Sequence, residues 1–140
     1  MTGEQNKALV RRMFEETDRR EKADSEMFAP GFTAHIAGNP PMIYEAFEQY
    51  LGMFYAAFSD LTHTFEDMLV EGDTVAFRAV ARATHTGDFM GSPATGKQIS
   101  VVQIGIARVA NGKVAELWNS PDQMGLMQQL GLVPSPQAVR

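Results

Sequence analysis

The stretch from Val70 to Asp122 constrains the fold more than any other. It reads as three long strands, the first turn being Glu71-Gly72-Asp73 and the last Asn111-Gly112-Lys113. An Asn-Gly pair between apolar residues is a strong hairpin signal, because both central residues of that turn need positive φ. Alternation sorts the side chains into two faces. Val75, Phe77, Ala79, Ala81, Ala83 and His85 share one face of the first long strand, with Val101, Gln103, Gly105 and Ala107 on the next strand, and Ala115, Leu117 and Asn119 on the last. This face is mostly apolar and is assigned inward. Thr74, Arg78, Val80, Arg82 and Thr84 point the other way, as do Val102, Ile104, Ile106, Glu116 and Trp118.

Helices precede and follow this sheet. Thr2 and Gln5 fit a capping box, and Leu9, Val10, Met13, Phe14 and Thr17 recur at helical spacing, so a helix is expected over 3–21. A short helix should follow from Asp24 or Ser25 and stop at Pro30-Gly31, with a brief extended piece from Phe32 to Ile36. Asn39-Pro40-Pro41 reads as the start of the next helix, whose face carries Ile43, Phe47, Tyr50, Leu51, Phe54 and Phe58. Leu61 to Val70 is a strand; His63, in phase with Phe65, is read as surface or sheet packing. Ser120-Pro121-Asp122-Gln123 predicts a last helix capped by Ser120 and ended by Gly131, with a frayed tail over 132–140. One α+β domain spanning 1–140 is expected: a curved sheet closed over by helices around a pocket.

Composition narrows the partners. A net charge of -5 argues against a nucleic-acid face. The mixed-sign run from Arg11 to Lys22 reads as a solvated helix surface. Without cysteine there is neither a disulfide nor a thiolate ligand. His35, His63 and His85 have no metal-ligand spacing, and the loop from Gly91 to Gly96 lacks the Lys-Ser/Thr ending of a phosphate loop. No apolar run reaches membrane-span length, and Met1 to Asn6 is too polar for a secretion signal, so a cytoplasmic protein is expected. Nine Phe and nine Met suit either core filling or an adaptable pocket lining.

Four ordered segments carry a resemblance: Ala83-Thr84-His85-Thr86-Gly87, the Gly91 to Gly96 loop, Arg108 with Asn111-Gly112-Lys113-Val114, and Met127-Gln128-Gln129-Leu130-Gly131. Together they resemble the SnoaL-like polyketide cyclases, or ester cyclases, of the nuclear transport factor 2-like superfamily. The resemblance implies a cone-shaped α+β barrel with one deep cavity. It also implies ring closure of a polyketide by an intramolecular aldol reaction, without metal or cofactor. In that pattern an Asp near the end of the last strand removes a proton, and a Gln and a His two apart on the preceding strand line the pocket. Gln103 matches the Gln, but Gly105 stands at the His position and Asn119 at the Asp position. A pocket Asn of the family corresponds to Ala34, with His35 beside it. An amide is no general base, so the mechanism does not carry over residue by residue. Relatives with altered pockets include hydroxylases.

The catalytic candidates are therefore Asn119, Gln103, Asp122, His85 and His35. Gln103 and Asn119 face one way and could stabilise one substrate oxygen, or bond each other structurally. Asp122 is the nearest carboxylate, and equally a residue suited to a helix first turn. Either histidine could move a proton or be structural. Phe47, Tyr50, Phe54, Phe58, Val101, Gly105, Leu117 and Trp118 are the expected substrate-binding residues, Trp118 also fitting a core or subunit contact. The expected function is a cofactor-independent, polyketide cyclase-like activity on a hydrophobic, oxygen-rich small molecule. A hydroxylase-like relative and a non-catalytic binding protein are the alternatives. The outer apolar face, Val80, Val102, Ile104 and Ile106, predicts a homodimer or homotetramer through the sheet.

Overall fold

The computed structural model describes residues 1–134. Helix α1 (Gly3–Arg20) and a 3-10 turn (Ser25–Met27) lead into strands β1 (Phe28–Ile36) and β2 (Met42–Ile43). Helix α2 (Tyr44–Ala57) follows, then β3 (Thr62–Glu71), β4 (Thr74–Thr84), β5 (Gln98–Ala110), β6 (Lys113–Pro121) and α3 (Gln123–Gln129). The strands form one mixed sheet in the order β2-β1-β6-β5-β4-β3, with β1 parallel to β6 and every other neighbour antiparallel. The α+β architecture is as expected. The sheet is open, with β2 and β3 at its edges, so "barrel" describes its wrapping and not a closed ring. Register shifts at Phe65/Asp67, at Arg108/Val109 and between Phe28 and Thr33 mark where strands can bend.

Local chemistry explains the element boundaries. Thr2 and Gln5 form the reciprocal capping box that starts α1. Leu9, Val10, Met13 and Phe14 bury one face of α1 against Val75, Phe77, Ala79 and Ala107 of the sheet. Beyond α2, Phe58 joins Ala83, Phe89, Ile99, Val101, Leu126 and Leu130 in a second apolar cluster.

Four expectations are corrected. The 3-10 turn replaces the short helix, and Pro30-Gly31 lies inside β1, where Gly31 takes φ +77. Asn39-Pro40-Pro41 does not start α2. A proline holds the residue before it extended, and the chain stays extended through β2 before α2 begins at Tyr44. At the other end Asp122, not Ser120, caps α3: its carboxylate accepts Gly125 N–H at 2.9 Å. The cause is the sheet, since the ladder continues until Asp122 N–H donates to Val102 O at 2.9 Å, and no helix can begin earlier. Finally, Val80 is only 8% exposed, so it drops out of the outer apolar patch that Val102, Ile104 and Ile106 form. Of the expected tail, 135–140 lies outside the described residues.

Gly105 is a packing requirement. A methyl group there would lie 2.4 Å from Trp118 O and 2.5 Å from Phe77 Cζ. The Phe77 ring fills the space that a side chain at 105 would need. Gly105→Ala is therefore expected to lower stability by about 1–3 kcal/mol, although Ala normally suits a strand better than Gly. Urea denaturation measures this, and an unchanged midpoint would contradict the packing.

Candidate functional site

Between α2, one end of α1, the inner sheet face and α3 lies an apolar cavity of about 110 Å³. That is the scale of one aromatic ring, since a cavity of about 150 Å³ holds benzene. Phe47, Tyr50, Phe54 and Phe58 line one wall, and Ala81, Val101 and Leu117 line the other. The alanine-rich face contributes little room: Ala79 is wholly buried in the core beneath α1, and only Ala81 of that row reaches the cavity. The exposed Asp122 and Gln123 stand at the end nearest solvent. Burial pushes the Tyr50 phenol up to about 12, so it stays protonated.

Asn119, Gln103 and His63 give the wall a polar line, which Asp18 continues behind it. Asn119 Nδ2 donates to Gln103 Oε1 at 2.9 Å. Gln103 Nε2 lies 3.2 Å from His63 Nε2. On its other side the His63 ring meets Asp18, with Nδ1 2.9 and 3.0 Å from the two carboxylate oxygens. Asp18 also accepts the backbone N–H of His63 at 2.9 Å and the Tyr55 hydroxyl at 2.6 Å. Burial, then the Asp18 charge, raises the Tyr55 phenol far above its ordinary range, so it remains a donor. The Phe14 ring packs edge-on to the imidazole, centroids 5.0 Å apart. Phe14 and Asp18, one turn apart on α1, thus hold His63 from two sides.

Register explains why the two amides meet. Asn119 lies directly opposite Gly105 in the β5–β6 ladder, and Gln103 is opposite Pro121. With no side chain at 105, the Asn119 amide reaches diagonally to Gln103, a distance long polar side chains can span. Gln103 and Asn119 therefore lie side by side as parity predicts. Asp122, Phe47, Tyr50, Phe54, Phe58, Val101 and Leu117 line the same cavity.

The structure places four expected site residues elsewhere. His35 and Trp118 are on the outer sheet face, stacked with centroids 5.0 Å apart. His35 Nε2 lies 2.7 Å from Glu116, whose carboxyl is held below its ordinary range by that hydrogen bond and by Arg108. Parallel pairing puts His35 beside Trp118 in register, so both share the outward side. His85 is fully buried outside the cavity lining, where its Nδ1 accepts the Thr95 N–H at 3.2 Å. Gly105 is covered by Phe77. Conversely, Asp18 was not singled out, and His63, expected at the surface or in sheet packing, is 10% exposed and lines the cavity. The available signals were strand parity with Phe65 for His63, and for Asp18 its place four residues after the buried Phe14. Among the described residues, no group of three or more His, Asp or Glu is placed to hold a metal ion, and no helix is long and apolar enough to cross a membrane.

An open sheet wrapped on helices, with a polar line crossing an apolar cavity, defines a class that comparison with known proteins names. Residues 8–130 match the SnoaL-like polyketide cyclase model, and the chain belongs to that family. Its relatives include the aklanonic acid methyl ester cyclase DnrD of Streptomyces peucetius, 33% identical over 141 residues, covering 94% of this chain and 95% of the relative. The nogalonic acid methyl ester cyclase of Streptomyces nogalater is 32% identical over 88 residues, 62% of this chain and 66% of the relative. Among solved structures, AclR of Streptomyces galilaeus, provisionally a hydroxylase, superposes with a TM-score of 0.87 at 26% identity, over 97% of this chain and 87% of AclR.

Asp18 should be costly to disturb. Tyr55→Phe removes one of its donors from a buried carboxylate and is expected to destabilise the fold by about 1.5–3 kcal/mol. Chemical denaturation of the variant tests this; wild-type stability would mean that Asp18 does not depend on the phenol.

Proposed function

We propose that this chain closes a ring in a hydrophobic polyketide ester. The observation that carries the reading is the Gln103–Asn119 pair on the wall of an aromatic cavity, in a chain 33% identical to an aklanonic acid methyl ester cyclase over 94% of its length. In an intramolecular aldol closure, a carbon next to a carbonyl loses a proton. The resulting enolate carbon bonds to a second carbonyl carbon, whose oxygen takes up a proton. Product and substrate are isomers, and neither oxidant nor cofactor is required. The ring being formed occupies the cavity, and the rest of the skeleton extends past Asp122 and Gln123. Gln103, Asn119 and the Tyr50 hydroxyl contact the substrate oxygens. Asp122 moves protons at the mouth. Its carboxylate lies at the start of α3, where it accepts the Gly125 N–H at 2.9 Å.

A second reading is favoured by the amide on the last strand: Asn119 stands where the resemblance implies an acid. The cavity then binds its ligand without turnover, or serves hydroxylation, the activity ascribed to AclR. Incubation with aklanonic acid methyl ester, followed by chromatography and mass spectrometry, separates these readings. Cyclisation gives a new peak of unchanged mass, hydroxylation adds an oxygen, and a binding protein returns the ester unaltered. If cyclisation is the activity, Asn119→Asp should raise turnover, by up to about 10²–10⁴-fold where proton removal limits the rate. A rate unchanged or reduced by this substitution would show that position 119 is not where the base is needed.

The reading includes a cytoplasmic homodimer or homotetramer. Val102, Ile104 and Ile106 are 42%, 59% and 42% exposed on one sheet face, next to Trp118. Such a patch is larger than isolated surface residues make. Ile104→Lys is expected to shift the assembly to monomer in light scattering; a wild-type chain already monomeric at micromolar concentration would refute the interface.

A further inference from the structure

The direction of the hydrogen bonds between Asp18 and Asn119 can be read from donor chemistry. The Asp18 carboxylate only accepts, so His63 Nδ1, 2.9 Å away, carries a proton. In a neutral imidazole the other nitrogen, Nε2, is then a lone-pair acceptor. The atom 3.2 Å from it must donate, which is the role of Gln103 Nε2. Gln103 Oε1 is thereby turned toward Asn119 and accepts its N–H at 2.9 Å. The series ends on Asn119 Oδ1, a buried oxygen with no partner. An orphaned buried acceptor calls for a donor from a ligand. Thus the resting pair carries one unmet acceptor at its end, beside the second N–H of the Asn119 amide.

Gaining a proton on Nε2 reverses the line. The imidazolium has two N–H groups and no acceptor, so Gln103 must turn its oxygen toward His63. Its NH₂ then faces Asn119, which accepts on Oδ1 and leaves its own NH₂ as the free end. We propose that His63, held by Asp18, is a positioning residue that sets the polarity of the Gln103–Asn119 pair. Neutral, it makes the cavity select a ring bearing a hydroxyl donor; protonated, it makes the cavity accept a ring oxygen without one. The titratable groups facing His63 are Asp18 of α1 and, through Asp18, Tyr55 of α2. Its β4 partner Ala81, its β5 neighbour Gln103 and the Phe14 ring do not titrate. The proposal rests on the reading that the cavity binds oxygen-bearing rings, and not on any turnover.

Phenol and anisole test it, because both match a one-ring cavity and only phenol can donate. Nitrogen-15 NMR of the imidazole should show the Nδ1–H form at neutral pH, and calorimetry should show phenol binding about tenfold tighter than anisole. On acidification to the point where the same spectra show both ring nitrogens protonated, the preference should fall to within about twofold. His63→Phe should abolish the preference at all pH values, and the wild-type titration stands alone if that variant does not fold. An Nε2–H form at neutral pH, equal affinity for the two probes, a pH-independent preference, or binding of neither would overturn the proposal. Cyclisation of aklanonic acid methyl ester without this preference would leave the cyclase reading standing alone. The preference without turnover would do the opposite.

Discussion

The structure depends on a carboxylate that is almost out of water. The Asp18 side chain is 11% exposed, and an ionised group so placed is tolerable only when hydrogen-bonded. Its donors come from α2, through Tyr55, and from β3, through both the backbone and the ring of His63. Asp18 itself belongs to α1. One side chain thus joins two helices and a strand on the concave side of the sheet. Apolar packing between α1 and β4 brings these elements together, but it is non-directional. The carboxylate adds direction: only one rotation of α1 puts Asp18 under Tyr55 while Phe14 packs on the imidazole.

The same interaction connects scaffold and site. Orienting His63 orients Gln103, and Gln103 orients Asn119. The β5–β6 ladder supplies the remaining constraint, because Gly105 leaves the diagonal between the amides clear while Phe77 closes the space behind it. Gly105 and Asn119 are therefore coupled by packing, as they face each other across the ladder. A side chain at 105 would obstruct Phe77. With no Cβ at 105, Asn119 bonds Gln103 across the diagonal instead of standing alone in the cavity. His63 is packed by Phe14, and each amide is held by its hydrogen bond along the line.

Much of this was legible from the chain. The hairpin turns, the α1 face and the aromatic α2 face follow from period and turn chemistry, which act locally. Parity alone placed Gln103 and Asn119 on one face. The errors occurred where tertiary pairing overrides a local signal. Ser120-Pro121 looks like a helix start, yet the bond from Asp122 N–H to Val102 O keeps the chain in the sheet. Pro40-Pro41 suits a first helical turn equally well, but pairing with Thr33 and Ala34 extends the segment that follows. His35 neighbours a pocket position in the family pattern, and a one-residue step along a strand moves a side chain to the opposite face. Asp18 was hidden by its surroundings: Glu15, Glu16, Arg19 and Arg20 give it the look of a solvated surface, although it stands one turn from Phe14.

The strand order has a consequence for how the chain reaches this structure. From β3 to β6 each strand pairs with the next, so the meander assembles from contacts near in sequence. β1 instead lies parallel to β6, and His35 and Glu116 meet across 81 residues. Closing so long a loop carries an entropy cost that only an existing partner edge can offset. The meander carries the smaller closure cost, and docking of the N-terminal segment on the β6 edge carries the larger one. Because α1 lies at the far end of that segment, the cavity and its buried carboxylate depend on the contacts that span the most sequence.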